Sequence, residues 1–373
     1  MVRSISKELA KRHEVVVYTT NALDPKHDFE PKTEDIDGYR VCYFKRILLP
    51  SFCFGIFGQL NLSLDMINAA KKDLDNFDVV HVHSWQQCPE LIIHHYAKKF
   101  SVPYVLQVHG SLHKFMIKEK LKVIYNVFFG NRILRDASRV VALSQMEAQE
   151  YQGMGESDKK IVIIPNGIDL SKYCILPAKG LFKKRFHIQE ETKIILYLGR
   201  VNRTKGIDFL VKAYAQLTKT TKYSDTLLVI VGPDDGYSAE VNSLVKSLGI
   251  SNLVLFTGLL SEQDKISAYV DSAICAYLSP LEPFGLVTLE AAVCGTPVIV
   301  SKGTPLSEVV EKNKFGFSVR YGEIAELAEV MRYGLNDSEM LKKRGQTGRK
   351  FVFENYNYSD IVTKLEKVYE DIV

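Results

Sequence analysis

No stretch of this chain reaches the ~18 consecutive apolar residues that a membrane-spanning helix needs. Its first residues are not expected to form a signal peptide either. Residues 1–13 read as the body of a helix, without a basic start, an apolar stretch and a small-residue cleavage site. Cysteines are few and scattered, at 42, 53, 88, 174, 275 and 294, with no CxxC pair. That argues against a zinc ribbon or a disulfide scaffold and fits a reducing, cytoplasmic setting. The charge balance is nearly even: 48 Lys and Arg against 44 Asp and Glu leave +4. Such an excess is too small for a nucleic-acid binder working by bulk charge. Two nucleotide motifs are also absent. There is no GxxxxGK[ST] P-loop and no GxGxxG dinucleotide fingerprint.

What the chain does have is an ordinary globular balance. Hydrophobic residues make up 46% and charged residues 25% of 373 positions. That length implies about two domains. Short apolar runs rich in β-branched residues alternate with stretches of helical spacing, a pattern that predicts parallel sheets covered on both faces. In the first half the runs are 14–19, 40–44, 78–83, 104–109, 139–143 and 161–165. In the second they are 194–199, 227–232, 253–257, 273–278, 298–301 and 316–320. Gly, Pro and charge mark a connector between the halves. The expected organisation is a first α/β domain over 1–167, a linker over 168–191, a second α/β domain over 192–355, and a C-terminal helix over 356–373 free to pack on either.

Open parallel sheets bind ligands beyond the carboxyl ends of their strands. Polar motifs gather at several such ends: His81 and His83, His109–Gly110, Gly199–Arg200, Gly232–Pro233 and Glu282–Gly285. Of the two alternating histidines 81 and 83, one is expected in the cleft and the other, His81, in packing. In Ser279–Val298, Pro283 and Gly285 set a turn that opens a helix near Phe284. The first-turn amides of Leu286 and Val287 suit a phosphate. Glu290 lies about two turns in, roughly 9 Å along the axis, where a carboxylate can accept hydrogen bonds from a ribose diol. Glu282 stands on the other side of the phosphate position. The same pair also fits a capped helix with two solvated glutamates. In Leu198–Asp208, Gly199 allows a sharp turn after a strand. Arg200 and Lys205 then flank the next helix start, placed to neutralise a leaving diphosphate. A βα loop with a solvated basic face is the plainer alternative.

Together these segments bring a family into view. The chain resembles the retaining, nucleotide-sugar-dependent glycosyltransferases of the GT-B fold, the group 1 family, or family 4. The stretches that carry the resemblance are Asp78–Trp85, Val108–Gly110, Ile164–Asp169, Leu198–Gly206, Val231–Pro233 and Glu282–Glu290. It implies an α/β fold of two Rossmann-like, doubly wound parallel-sheet domains facing across a cleft, with the acceptor on the first and the donor held by the second. It implies sugar transfer from a nucleotide-diphosphate sugar, a UDP- or GDP-sugar, with retained configuration and with no metal or other cofactor. The acceptor it implies is a glycan, a lipid-linked or a small molecule. Carried over by position, Arg200 and Lys205 hold the diphosphate, Glu290 the ribose, and Glu282 and the backbone after it (Phe284, Gly285, Leu286, Val287) the sugar and phosphates. His109 reaches the sugar from the first domain. Gly199 and Gly232 line the nucleotide pocket, and Asn166–Gly167 form a hinge turn.

The family begins with a strand and a Gly-Gly loop, whereas residues 1–12 match the helix after that loop. The expectation is therefore a first domain lacking its first strand, and a natural start upstream of Met1. Lys302–Glu308 also departs from the family's Gly-Gly-x-Pro-Glu. Two further readings stay open: a sugar-nucleotide epimerase of the same fold, and a catalytically impaired binding subunit. The segments Ser51–Gly58 and Leu112–Arg132 are apolar, and the second carries Lys114, Lys118, Lys120 and Lys122. They suggest peripheral contact with the cytoplasmic membrane face, against the alternative of an ordinary amphipathic helix packed on the core.

Overall fold

The computed structural model describes residues 1–23, 27–47, 61–110, 112, 125–220, 223 and 225–373. The apolar segment 51–58 and lysines 114, 118, 120 and 122 lie outside the described residues. The chain divides into two compact units, Met1–Gly167 with Tyr358–Val373, and Ile168–Asn357.

The first unit holds seven described strands in two sheets. β1 (Val16–Thr20), β2 (Lys32–Ile36) and β3 (Tyr39–Phe44) form one, in the order β1-β3-β2, with β2 antiparallel to β3. β4 (Val80–Val82), β5 (Tyr104–Gln107), β6 (Arg139–Ala142) and β7 (Ile161–Ile163) form the other, all parallel and in sequence order. Successive side chains of a strand point to opposite faces, and β5 and β6 are apolar on both. Val105 and Val141 meet Ile5 of the first helix, Val2–Leu9, and Ile361, Val362 and Leu365 of the last, Tyr358–Glu370. Leu106, Val140 and Ala142 meet Ile92, Ala97, Ile133 and Leu134 on the other face. Each Val, Leu or Ile among them, taken fully out of water, contributes about 1.5–3 kcal/mol. The C-terminal helix thus belongs to the first unit.

Among the described residues the second unit is built on one six-stranded parallel sheet. Its strands are β8 (Lys193–Leu198), β9 (Thr226–Val231), β10 (Val254–Gly258), β11 (Ser272–Tyr277), β12 (Val298–Ser301) and β13 (Gly316–Val319). The order is β10-β9-β8-β11-β12-β13. The chain runs outward from β8 to β10, then returns to β11 on the other side of β8 and runs outward again. The adjacent carboxyl ends of β8 and β11 are therefore the topological switch point, where an open sheet of this kind leaves a crevice.

Two features differ from the sequence expectation. β2 carries Lys32, Glu34 and Asp35 and has no apolar run to betray it. It is an edge strand paired through a tight turn at Asp37 and Gly38, both at positive φ (51° and 90°). The expected connector 168–191 is built into the second unit. Tyr173 and Phe182 are buried. The carboxylate of Asp271 accepts from the amides of Gly180 (2.5 Å) and Lys183 (3.1 Å), which secures the short helix Leu181–Arg185.

Candidate active site

At the switch point the turn after β8 is pinned to the turn after β9. The Gly199 amide donates to the Val231 carbonyl at 2.9 Å. A Cβ on Gly232 would lie 1.9 Å from the Gly199 carbonyl oxygen, so only glycine lets the two turns approach. This fixes the exit of Arg200. Its carbonyl accepts the Tyr197 hydroxyl at 2.8 Å. Its guanidinium, 64% exposed, pairs with Asp235 at 2.6 Å. Asn202 donates to the same Asp235 oxygen at 3.0 Å.

Lys205 is in a different setting. It ends the short helical turn Arg203–Lys205, capped by the Asn202 side chain on the Thr204 amide. Its ammonium reaches across to the β11 end, 2.8 Å from Glu282 Oε2 and 3.2 Å from the Tyr277 hydroxyl. The Tyr277 hydroxyl donates to the same Glu282 oxygen at 2.7 Å. Lys205 and Glu282 side chains are only 14% and 16% exposed. Burial, then the neighbouring Glu282, pushes the Tyr277 phenol far above its usual range.

The helix expected near Phe284 runs over Leu286–Val293, starting two residues later, with Gly285 as N-cap at φ 92°. The amides of Leu286 and Val287 lie in its first turn, where the helix supplies no carbonyl for them. Phe284 itself is buried, its ring 6.2 Å from that of Tyr356, so its side chain packs and only its backbone borders the turn. Glu290 is part-buried. Its carboxylate accepts the Tyr269 hydroxyl at 2.9 Å and lies 3.3 Å from the Lys265 ammonium. Both partners come from the helix Glu262–Asp271.

The first unit gathers histidines. His109 follows β5 with φ 54°, a conformation rare outside glycine. Its Nε2 lies 3.0 Å from His83 Nδ1. His81 and His83 do not divide between cleft and packing. His81 is on β4 and His83 lies just past its end, two residues on in the same extended run, so both face one way and their rings stack with centroids 3.9 Å apart. His81 Nδ1 in turn meets the Tyr369 hydroxyl at 2.7 Å. Burial pushes His109 down to about 4 and His81 to about 3, so the rings are neutral at pH 7. Among the described residues no group of three or more His, Cys, Asp or Glu is placed to hold a metal ion.

The structure thus brings Arg200, Lys205, Glu282, Gly199 and Gly232 to one crevice of the second unit, with Glu290 on the helix that leaves it. His109 sits in its own unit among histidines. Sequence reasoning missed Tyr277, Asp235, Lys265 and Tyr269. Only Lys265 and Tyr269 left a signal, since a spacing of four puts both on one helix face. A cavity of about 530 Å³ in the first unit, lined by Asp78, Ser101, Pro103 and Ser138 among others, holds none of these residues.

Comparison with known proteins shows the family. A model of the family "Glycosyl transferases group 1" matches residues 179–351, and one of "Glycosyltransferase Family 4" matches 1–172. The chain belongs to the group 1 glycosyltransferases. N-acetyl-alpha-D-glucosaminyl L-malate synthase of Bacillus anthracis is 25% identical, over 99% of this chain and 92% of that protein. The D-inositol 3-phosphate glycosyltransferase of Kineococcus radiotolerans is 27% identical, over 80% and 71%. Among solved structures, sucrose-phosphate synthase from Thermosynechococcus elongatus superposes with a TM-score of 0.80 at 24% identity, covering 100% of this chain and 92% of that one. Anabaena HepE in complex with UDP and glucose gives 0.78 at 21%, covering 99% and 95%. These likenesses establish the GT-B fold. This glycosyltransferase therefore carries its charged residues where an open sheet of the fold leaves its crevice.

Proposed function

We propose that this glycosyltransferase moves a sugar from a nucleotide-diphosphate sugar, a UDP- or GDP-sugar, to a glycan, lipid-linked or small-molecule acceptor. Transfer retains the anomeric configuration and needs no metal. One observation carries the reading: two cations, Arg200 and Lys205, and two carboxylates, Glu282 and Glu290, border the switch-point crevice of the second unit. Arg200 and Lys205 match a diphosphate in charge, and they stabilise it as the sugar–phosphate bond breaks. Glu290 takes the ribose hydroxyls, and Glu282 a donor-sugar hydroxyl. The second unit is then the donor domain, the first the acceptor domain with His109 contributing to the sugar site. Glu282 has one oxygen engaged by both Lys205 and Tyr277, which suits an anchored acceptor of hydrogen bonds better than a free nucleophile. The step that fits is front-face: the leaving phosphate oxygen takes the acceptor's proton while the sugar C1 exchanges its phosphate oxygen for the acceptor oxygen. A lipid-linked acceptor accords with exposed Val127, Phe128 and Phe129 beside Arg132 and Arg135, and so does peripheral contact with an anionic membrane. Among the described residues no helix is long and apolar enough to cross a membrane.

Calorimetry with UDP, GDP and their hexose conjugates tests the donor. Binding of at least one conjugate is expected, and none binding sinks the proposal. With an acceptor in hand, the anomeric coupling in the product spectrum reports retention, and EDTA should leave turnover unchanged. Sedimentation with anionic vesicles at low salt tests the membrane contact, which an unbound protein would refute.

A further inference from the structure

Tyr277 is the last residue of β11, with its ring buried. Among the described residues its hydroxyl has two hydrogen-bond partners, and both belong to the proposed donor site. It lies 2.7 Å from Glu282 Oε2 and 3.2 Å from Lys205 Nζ. The phenol stays protonated, because burial and the adjacent carboxylate both oppose its ionisation. A phenol has one proton to give, and the ammonium only donates. The directions are therefore fixed: Lys205 donates to Tyr277, and Tyr277 donates to Glu282. Lys205 also donates to Glu282 Oε2 directly, at 2.8 Å. That leaves one of the three ammonium protons uncommitted. Among the described residues, Glu282 Oε1 carries no hydrogen bond.

We propose that Tyr277 is a positioning residue of this transferase. Its hydroxyl locks Lys205 and Glu282 into one unit that presents Glu282 Oε1 to a hydroxyl of the donor sugar and the remaining Lys205 proton to the diphosphate. The inference rests on the nucleotide-sugar function proposed above and adds a residue that sequence reasoning did not single out. A phenylalanine would fill the same space beside Tyr197, whose ring stacks on Tyr277 with centroids 6.5 Å apart. It would leave Glu282 held by the ammonium alone, one tether in place of two. The hydroxyl is thus present for the site and not for the fold.

The test compares wild type, Tyr277→Phe, Glu282→Gln and the double variant. Calorimetry measures binding of UDP and of whichever UDP- or GDP-sugar the wild type binds. Tyr277→Phe should weaken the sugar-bearing donor about 10- to 100-fold, the worth of a hydrogen bond to a charged group, and bare nucleotide less. A purely structural loss would weaken both equally. The double variant should be no worse than Glu282→Gln alone, because one contact cannot be lost twice. Melting of Tyr277→Phe should stay within a few degrees of wild type. Donor binding within twofold of wild type, additive losses in the double variant, equal losses for nucleotide and donor, or a Tyr277→Phe chain that does not fold would each overturn the proposal. A wild type that binds no nucleotide sugar would instead overturn the function on which it rests.

Discussion

Both units gather polar side chains at the carboxyl ends of parallel strands, to opposite electrical effect. In the second unit the gathered groups are charged: Arg200 with Asp235, Lys205 with Glu282, Lys265 with Glu290. In the first they are imidazoles held neutral by burial, stacked and hydrogen-bonded to one another and to Tyr369. A site built from fixed charges is suited to a ligand with charge of its own, such as a diphosphate. A neutral, donor- and acceptor-bearing surface is suited to uncharged hydroxyls, such as those of a sugar. The difference assigns the heavier electrostatic work to the second unit, and substitutions there should cost most.

Lys205→Ala should cost the most of all. It removes a cation from the proposed leaving-group site and leaves Glu282 part-buried without its ion pair. Turnover should fall about 10²- to 10³-fold, and the melting temperature should fall with it, because breaking a shielded pair strands a charge. Near-normal turnover would end the leaving-group role. Arg200→Ala should lose less, about 10- to 100-fold. Its guanidinium is mostly exposed and solvent already screens it. The fold should be untouched, and raising the salt should narrow the gap between Arg200→Ala and wild type. Equal losses from the two substitutions, unaffected by salt, would erase the contrast between a shielded and an exposed cation.

The neutral set makes a prediction in pH. His109 and His81 titrate near 4 and 3 in the folded chain, below the ordinary 6.5, because burial penalises the charged ring. Between about pH 6.5 and 4 the unfolded chain therefore binds more protons than the folded one. Stability is full above that window and falls as pH drops through it. For His109 alone the loss is on the order of 2 kcal/mol at pH 5. Melting curves of wild type and His109→Asn, compared from pH 7.5 to 4.5, should converge as the pH falls. A constant gap would mean that the ring is not held neutral by the fold.

How far the sequence foretold all this follows from where the information lies. Strands β8, β11 and β12 are apolar on both faces and bounded by Gly, Pro or Ser, so local pattern finds them. The loop after β8 and the Glu282–Glu290 segment carry their chemistry in consecutive residues, and they too were legible. β2 was not, because its charged side chains suit an exposed edge strand, although Asp37–Gly38 was a hairpin signal in plain view. The stacking of His81 on His83 follows from a period of two that the expectation of a divided pair overlooked. The two sheets of the first unit were illegible, since strand pairing is decided between distant segments. Partners such as Tyr277 for Lys205 and Asp235 for Arg200 come from neighbouring strands and are set by the sheet order, which no local pattern encodes.

Asp235 gives the smallest expected effect and the finest probe of the contrast within the second unit. In the structure it holds the Arg200 guanidinium with help from Asn202. A diphosphate arriving at Arg200 must compete with that carboxylate. An exposed ion pair contributes about 0–1 kcal/mol, so the competition is weak. Asp235→Asn keeps the shape and removes the charge. Donor affinity should then rise, by no more than about fivefold, while the melting temperature barely moves. The corresponding change at the shielded pair, Glu282→Gln, should do the reverse and weaken the donor, because in the proposed function that carboxylate accepts a donor-sugar hydroxyl. Calorimetric titration of both variants with the same nucleotide sugar reads the sign directly. If Asp235→Asn lowers affinity, the carboxylate positions Arg200 for the diphosphate instead of competing with it, and the exposed pair belongs with the shielded one.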